Sequence, residues 1–258
     1  MDFLQAILLG LIQGISEWLP ISSSGHLALA QQLMGLNVPV AFDVLLHIGT
    51  LAAVVAFYWK KLWKVALAVI RMDFKSEDGR TALLILVGSI PTAIIGFAFK
   101  DFFESMFSSM LMVGIALILT GFVLFATKFF KGKRKVNFAE AVVVGVAQGI
   151  AVAPGISRSG WTMSAGMARG IEREKAADFS FMLSIPALLG AALIEGRKVA
   201  FSGMDLGLVA IAVLVAAVVG YASIAFLLKV IKRGDFYLFA YYCWLVGIAA
   251  VLLGTGMI

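Results

Sequence analysis

The chain is poor in what a soluble enzyme is usually built with. Only 14% of its 258 residues are charged and 62% are hydrophobic, with a mean hydropathy of +1.01, far from the ~25% charged and ~45–50% apolar composition of a soluble domain. A water-surrounded globule is excluded, and an integral membrane protein is expected. One cysteine, Cys243, excludes an internal disulfide. Alternating ten-residue segments are missing, which excludes a transmembrane β-barrel. The N-terminal stretch has no basic leader and no A-x-A site, so it is expected to belong to the mature protein. The formal net charge is +6, but the basic residues sit at the ends of apolar runs, so no soluble basic patch for nucleic acid remains.

What is present is a set of apolar runs at about 43–59, 82–98, 109–127, 179–195, 206–228 and 236–254, each free of internal Lys and Arg. Each can cross a hydrocarbon core of about 30 Å. Two further apolar regions, 3–35 and 139–170, are broken by Pro20 or Pro154-Gly155 and then by serines, the pattern of a re-entrant helical hairpin. The fold expected is an all-α polytopic membrane protein with six transmembrane helices and two such hairpins. Lys and Arg cluster in 59–80, 128–135 and 229–233, which the positive-inside rule makes cytoplasmic. The connections 99–108 and 196–205, the latter with Arg197 and Lys198, fall opposite, and both termini lie outside. The charged runs 71–80 and 128–135 read as solvated loops.

At a shift of 135 residues, LGLIQGISEWLPISSSGHLALA (9–30) aligns without a gap on VGVAQGIAVAPGISRSGWTMSA (144–165), with nine identities in 22 positions. The chain therefore reads as a single membrane domain of two repeat halves, 1–130 and 136–258. Each half is one hairpin plus three spans, and an odd number of spans gives the halves opposite orientation, an inverted repeat.

The repeat separates scaffold from specialisation. Shared Ser22/Ser157, Ser24/Ser159 and the glycines suit the turn and the cap of the next half-helix. Glu17, Ser23, His26 and Leu27 face Val152, Arg158, Trp161 and Thr162. One hairpin supplies carboxylate, hydroxyl and imidazole, and the other a guanidinium and a hydroxyl. Half-helix N-termini meeting inside the membrane form an anion site, and the Arg158 fork fits phosphate oxygens. Gln13 and Glu17, one turn apart, share a helix face. Phosphate-binding candidates are thus Gln13, Ser22, Ser24, Ser157, Ser159 and Thr162. Bland alternatives stay open: Glu17 as a structural partner of Arg158, and His26 as a donor to a backbone carbonyl. Asp43 and His47 read as structural.

The stretches Gln13–Glu17, Leu19-Pro20-Ile21-Ser22-Ser23-Ser24-Gly25-His26 and Pro154-Gly155-Ile156-Ser157-Arg158-Ser159-Gly160-Trp161-Thr162 resemble the two motifs of the bacitracin-resistance type of undecaprenyl-pyrophosphate phosphatase. Gln13 stands where many members carry Glu. The resemblance implies hydrolysis of a C55 polyprenyl diphosphate to the monophosphate carrier and inorganic phosphate. It also implies a divalent cation, Mg²⁺ or Ca²⁺, and catalytic roles for Glu17, Ser23, His26 and Arg158. The expected home is the bacterial cytoplasmic membrane with the site facing outward, and homodimer formation is left open. The mechanism expected has Ser23 attacking in line and His26 exchanging a proton, with Glu17 orienting His26 or binding the metal; His26 or a metal-bound water as nucleophile is the variant. From a different class, the inverted repeat also suits a polyprenyl-phosphate transporter or flippase.

Overall fold

A computed structural model of the chain describes residues 1–36, 38–107, 109–196 and 205–256. Asp2 and Gln5 form a capping box that starts α1, Phe3–Trp18. Leu19 at its end is extended, as the residue before a proline prefers. The chain then turns and restarts as α2, Ser23–Leu33. Next come α3, Val40–Phe57, and α4, Trp59–Ile70, which meet at a bend of 82°. α5, Glu77–Ala98, is followed by α6, Lys100–Phe107, and α7, Met110–Ala126, which runs into a short 3₁₀ turn, Thr127–Phe129. The second half opens on α8, Phe138–Ile150, and α9, Arg158–Ala168; at the same shift of 135 residues α8 starts where α1 does but ends three residues earlier, and α9 has the bounds of α2. It continues with α10, Arg173–Gly196, α11, Leu206–Arg233, a 3₁₀ turn at Phe236–Leu238 and α12, Phe239–Gly254.

Among the described residues five helices are long and apolar enough to span a bilayer, and six if the bent pair α3–α4 forms one span. They contain the six apolar runs of the sequence. No strand occurs among the described residues; the lone bridge joins Arg134 to Ile171.

Two connections differ from expectation. Residues 59–70 are helical, with Val65 and Ala68 buried and Trp59, Trp63 and Ile70 exposed. Apolar residues recur there at helical spacing between the lysines, so the segment is an amphipathic helix rather than part of a loop. The run 71–80 is also split, because Ser76 caps α5 and recruits Glu77–Arg80 into a helix that Lys61 grips through Asp78 at 2.8 Å. The stretch 100–107 is likewise helical. Of the 196–205 connection, Arg197 and Lys198 lie outside the described residues.

Helices in lipid gain little from hydrophobic burial and associate through close packing of small residues. Here α1 packs along α11, α8 along α5, α7 along α12, and α3 between α10 and α11. α1 and α8 therefore each lie on a span from the other part of the chain. Glycine makes the approach: a Cβ on Gly10 would stand 2.5 Å from the Ala212 carbonyl oxygen, and one on Gly145 would collide with the Gly88 carbonyl. The largest buried cluster, with Trp18, Met163, Phe181, Ile224 and Cys243, ties α1, α9, α10, α11 and α12 together beneath the turns.

Candidate active site

Both broken helices are built alike at the break. Ser22 Oγ accepts the Gly25 N–H at 3.4 Å and Ser157 Oγ accepts the Gly160 N–H at 3.2 Å, so each serine caps the half-helix that follows. The second serine of each turn lies against the first, with Ser22–Ser24 at 3.4 Å and Ser157–Ser159 at 3.3 Å. Ser22 adopts φ 72°, a left-handed conformation, whereas Ser157 at φ −80° is ordinary. Strain of this kind is held only where the surroundings fix it, and here it precedes Ser23.

The two turns abut. A Cβ on Gly25 would be 3.6 Å from Gly155 Cα, and Ser159 Oγ donates to the Leu19 carbonyl at 3.3 Å. Thr120 of α7 fastens the second turn by accepting the Ser157 N–H at 3.3 Å and the Trp161 indole N–H at 3.2 Å. The first turns of α2 and α9 thus converge, and the N–H groups there have no acceptor within their own helices.

Glu17, at the end of α1, sits at this junction with its side chain 2% exposed. Arg158 at the start of α9 pairs with its Oε1. Ser23 Oγ donates to Oε2 at 2.6 Å and Gln13 Nε2 donates to the same oxygen at 3.1 Å, as expected for residues one turn apart. Gln13 Nε2 also reaches Thr50 Oγ1 at 3.4 Å. His47 of α3 completes the cluster: its Nε2 lies 3.5 Å from Glu17 Oε2, while its Nδ1–H donates to the Asp43 carbonyl at 2.7 Å. Glu17 is therefore inaccessible, but Ser23 is half-buried and the His47 side chain is 29% exposed. Those two side chains and that of Arg158, 19% exposed, are where the cluster reaches the surface.

Not every candidate meets there. His26 stacks on Tyr242 of α12, with Nδ1–H donating to the Ser22 carbonyl at 2.8 Å and Nε2 2.8 Å from the Tyr242 hydroxyl. Thr162 turns back to the Arg158 carbonyl at 2.7 Å and to Ser180, pinning α9 to α10. Ser24, Ser157 and Ser159 serve the turns. His47, which reads as structural from the sequence, and Thr50, which the sequence did not single out, join the cluster; at the shift of 135, His47 falls on Met182 and Thr50 on Ile185.

A divalent cation would find hard oxygen donors here. Gln13 Oε1 is buried with no hydrogen-bond partner, one turn from the Glu17 carboxylate. No cluster of three His, Cys, Asp or Glu side chains occurs among the described residues. The donor set fits an ion such as Mg²⁺, which is held by one or two protein oxygens and completed by phosphate and water.

Known proteins resemble this chain over nearly its whole length. The family model described as bacitracin resistance protein BacA matches residues 6–249. An undecaprenyl-diphosphatase of Halothermothrix orenii is 42% identical over 262 residues, covering 98% of each chain. One from Methanosphaera stadtmanae is 42% identical over 273 residues, covering 99% of each. One from Korarchaeum cryptofilum is 39% identical over 265 residues, covering 98% of this chain and all of its own.

Proposed function

The chain belongs to the bacitracin resistance protein BacA family, and from that premise we propose that it hydrolyses undecaprenyl diphosphate to undecaprenyl phosphate and inorganic phosphate. The observation that carries this reading is the Ser23 hydroxyl hydrogen-bonded to a buried Glu17 that is itself paired with Arg158. A nucleophile, a proton acceptor and a phosphate-binding fork converge at two helix N-termini.

In the reaction the terminal phosphoryl group lies between Ser23 and the first turns of α2 and α9. Its oxygens draw Arg158 toward them, which releases Glu17 Oε1 and leaves the carboxylate to accept the Ser23 proton through the bond already formed at Oε2. Ser23 Oγ then forms a bond to the terminal phosphorus as the bridging P–O bond breaks, and the polyprenyl monophosphate leaves. Water then attacks the phosphoserine phosphorus as the bond to Ser23 Oγ breaks, and Glu17 returns its proton to Oγ, giving inorganic phosphate and free Ser23. Arg158 and the helix N–H groups carry the charge that builds on the transferring group. Glu17 and Gln13 Oε1 are the groups that would hold a divalent cation, which would supply further charge neutralisation. The geometry favours Glu17 over His26 for the proton; His26 holds the turn through the Ser22 carbonyl.

The test is phosphate release from C55 diphosphate by purified protein in detergent, with and without chelator. Arg158→Ala is expected to lower kcat by about 10²–10³-fold, as loss of a preorganised charge does, and Glu17→Ala by at least as much. Wild-type rates in both would sink the assignment, and indifference to chelator would remove the cation.

We place the protein in the cytoplasmic membrane with both termini and the site mouth on the outer side, recycling the lipid carrier for cell-wall synthesis and so conferring bacitracin resistance. The halves 1–130 and 136–258 form an inverted pair within the single membrane domain. The reciprocal packing of α1 on α11 and α8 on α5 favours a second reading, transport of the polyprenyl phosphate. Phosphate release in detergent, where there are no two sides, separates the two.

A further inference from the structure

A groove of about 370 Å³ lies between α7, α8 and α9, with almost no polar surface in its walls. Its floor is one stripe of α9, Trp161, Ala165 and Ala168, and its sides include Val123 and Ala126 of α7 and Val146 of α8. The floor begins three residues beyond Arg158 on the same helix. Volumes of 300–1,000 Å³ are those of pockets for small ligands, and this one is open along its length to the surroundings of the helices.

The direction of the groove is informative. α9 starts at the meeting of the turns and ends where the Gly170 carbonyl accepts the Arg134 N–H at 3.0 Å, against the basic connection 128–135. Phe130 of that connection closes the foot of the groove. Ten residues separate Arg158 from Ala168, about 15 Å of helix, or half of a hydrocarbon core of about 30 Å. The groove therefore leads from the phosphate site to the face that carries the lysines and arginines.

We propose that this groove is the subsite for the first isoprene units of the substrate's polyprenyl tail. The inference rests on the hydrolytic reading above and adds to it the leaflet from which the substrate is drawn. A lipid that dips its diphosphate into the site from the side opposite the basic face has its tail ahead of it, pointing along α9. A lipid arriving from the basic face would trail its tail the other way, past α2 and α12. A C55 chain outreaches one leaflet, so a tail that continues through the midplane is natural for this substrate and not for a phospholipid. The stripe of alanines leaves room for the methyl branches. Trp161, fixed by Thr120, sets where the phosphate ends and the tail begins.

The test compares a C55 diphosphate with a C5 prenyl diphosphate, too short to reach beyond Trp161, in the wild type and in Ala165→Phe and Ala168→Phe. Filling the groove is expected to raise KM for the C55 substrate about tenfold or more, the discrimination a filled apolar pocket gives, and to change the C5 reaction less than about twofold. An unchanged C55 KM, or equal losses on both substrates, would overturn the subsite. Because a variant can fail to fold, the wild type is also labelled with a polyprenyl diphosphate carrying a diazirine on its second isoprene unit. Labels are expected on residues 161–168 and 123–126, removed by excess C55 diphosphate and not by phospholipid. Labels elsewhere, or labels removed equally by phospholipid, would overturn the proposal. Competed labelling of the groove without any phosphate release would support the subsite and defeat the hydrolytic reading, so the two failures are distinguishable.

Discussion

Glu17 engages both of its carboxylate oxygens: Arg158 holds one, while Ser23 and Gln13 hold the other and His47 faces it. Breaking a buried ion pair from one side leaves an uncompensated charge, at a cost of about 3–5 kcal/mol, whereas removing both charges is far milder. Glu17→Ala and Arg158→Ala should each lower the thermal midpoint in detergent, and the double variant should recover most of that loss while staying inactive. Additive losses would mean that the pair is not coupled. At this scale the sequence was legible where two positions differ between otherwise equal turns, as Ser23 against Arg158 does. His47 reads as structural in the sequence because a histidine at the start of an apolar span has no visible partner until α3 is seen beside α1, with His47 Nε2 3.5 Å from Glu17.

The broken helices restart at punctuation that the sequence displays: Ser22 or Ser157 caps each second half-helix, and Pro20 follows the end of α1 at once, whereas α8 ends at Ile150, ahead of Pro154-Gly155. The starts of α2 and α9 were therefore readable. The helix 59–70 was not, because its lysines mark it as a charged connection and its helical apolar spacing was outweighed by them. Packing partners were also hidden, since glycines mark a close approach without saying to what. Gly145 and Gly190 separate these cases. Gly145→Val would drive a side chain into the Gly88 carbonyl and should abolish well-folded protein by size exclusion. Gly190, within α10, has open space around a new Cβ, and Gly190→Ala should match or exceed wild-type stability by up to about 1 kcal/mol. Reversed outcomes would contradict the helix pairing.

Across the whole molecule, α1 packs on α11 and α8 on α5, and the turns that follow α1 and α8 meet at one site rather than making two. That arrangement has a topological consequence for accessibility. Cys243 is buried, so single cysteines placed at Asp2 and Lys133 in a Cys243→Ser background report their own positions. With a membrane-impermeant maleimide on intact cells, Asp2→Cys should be labelled and Lys133→Cys only after permeabilisation. Labelling of both from one side would contradict the inverted orientation. The central claim concerns Ser23, and rapid quenching with terminally labelled C55 diphosphate addresses it directly. The account predicts labelled phosphoserine at Ser23 that rises before free phosphate and decays with it. Full turnover by Ser23→Ala, or phosphate release with no label passing through the protein, would contradict it.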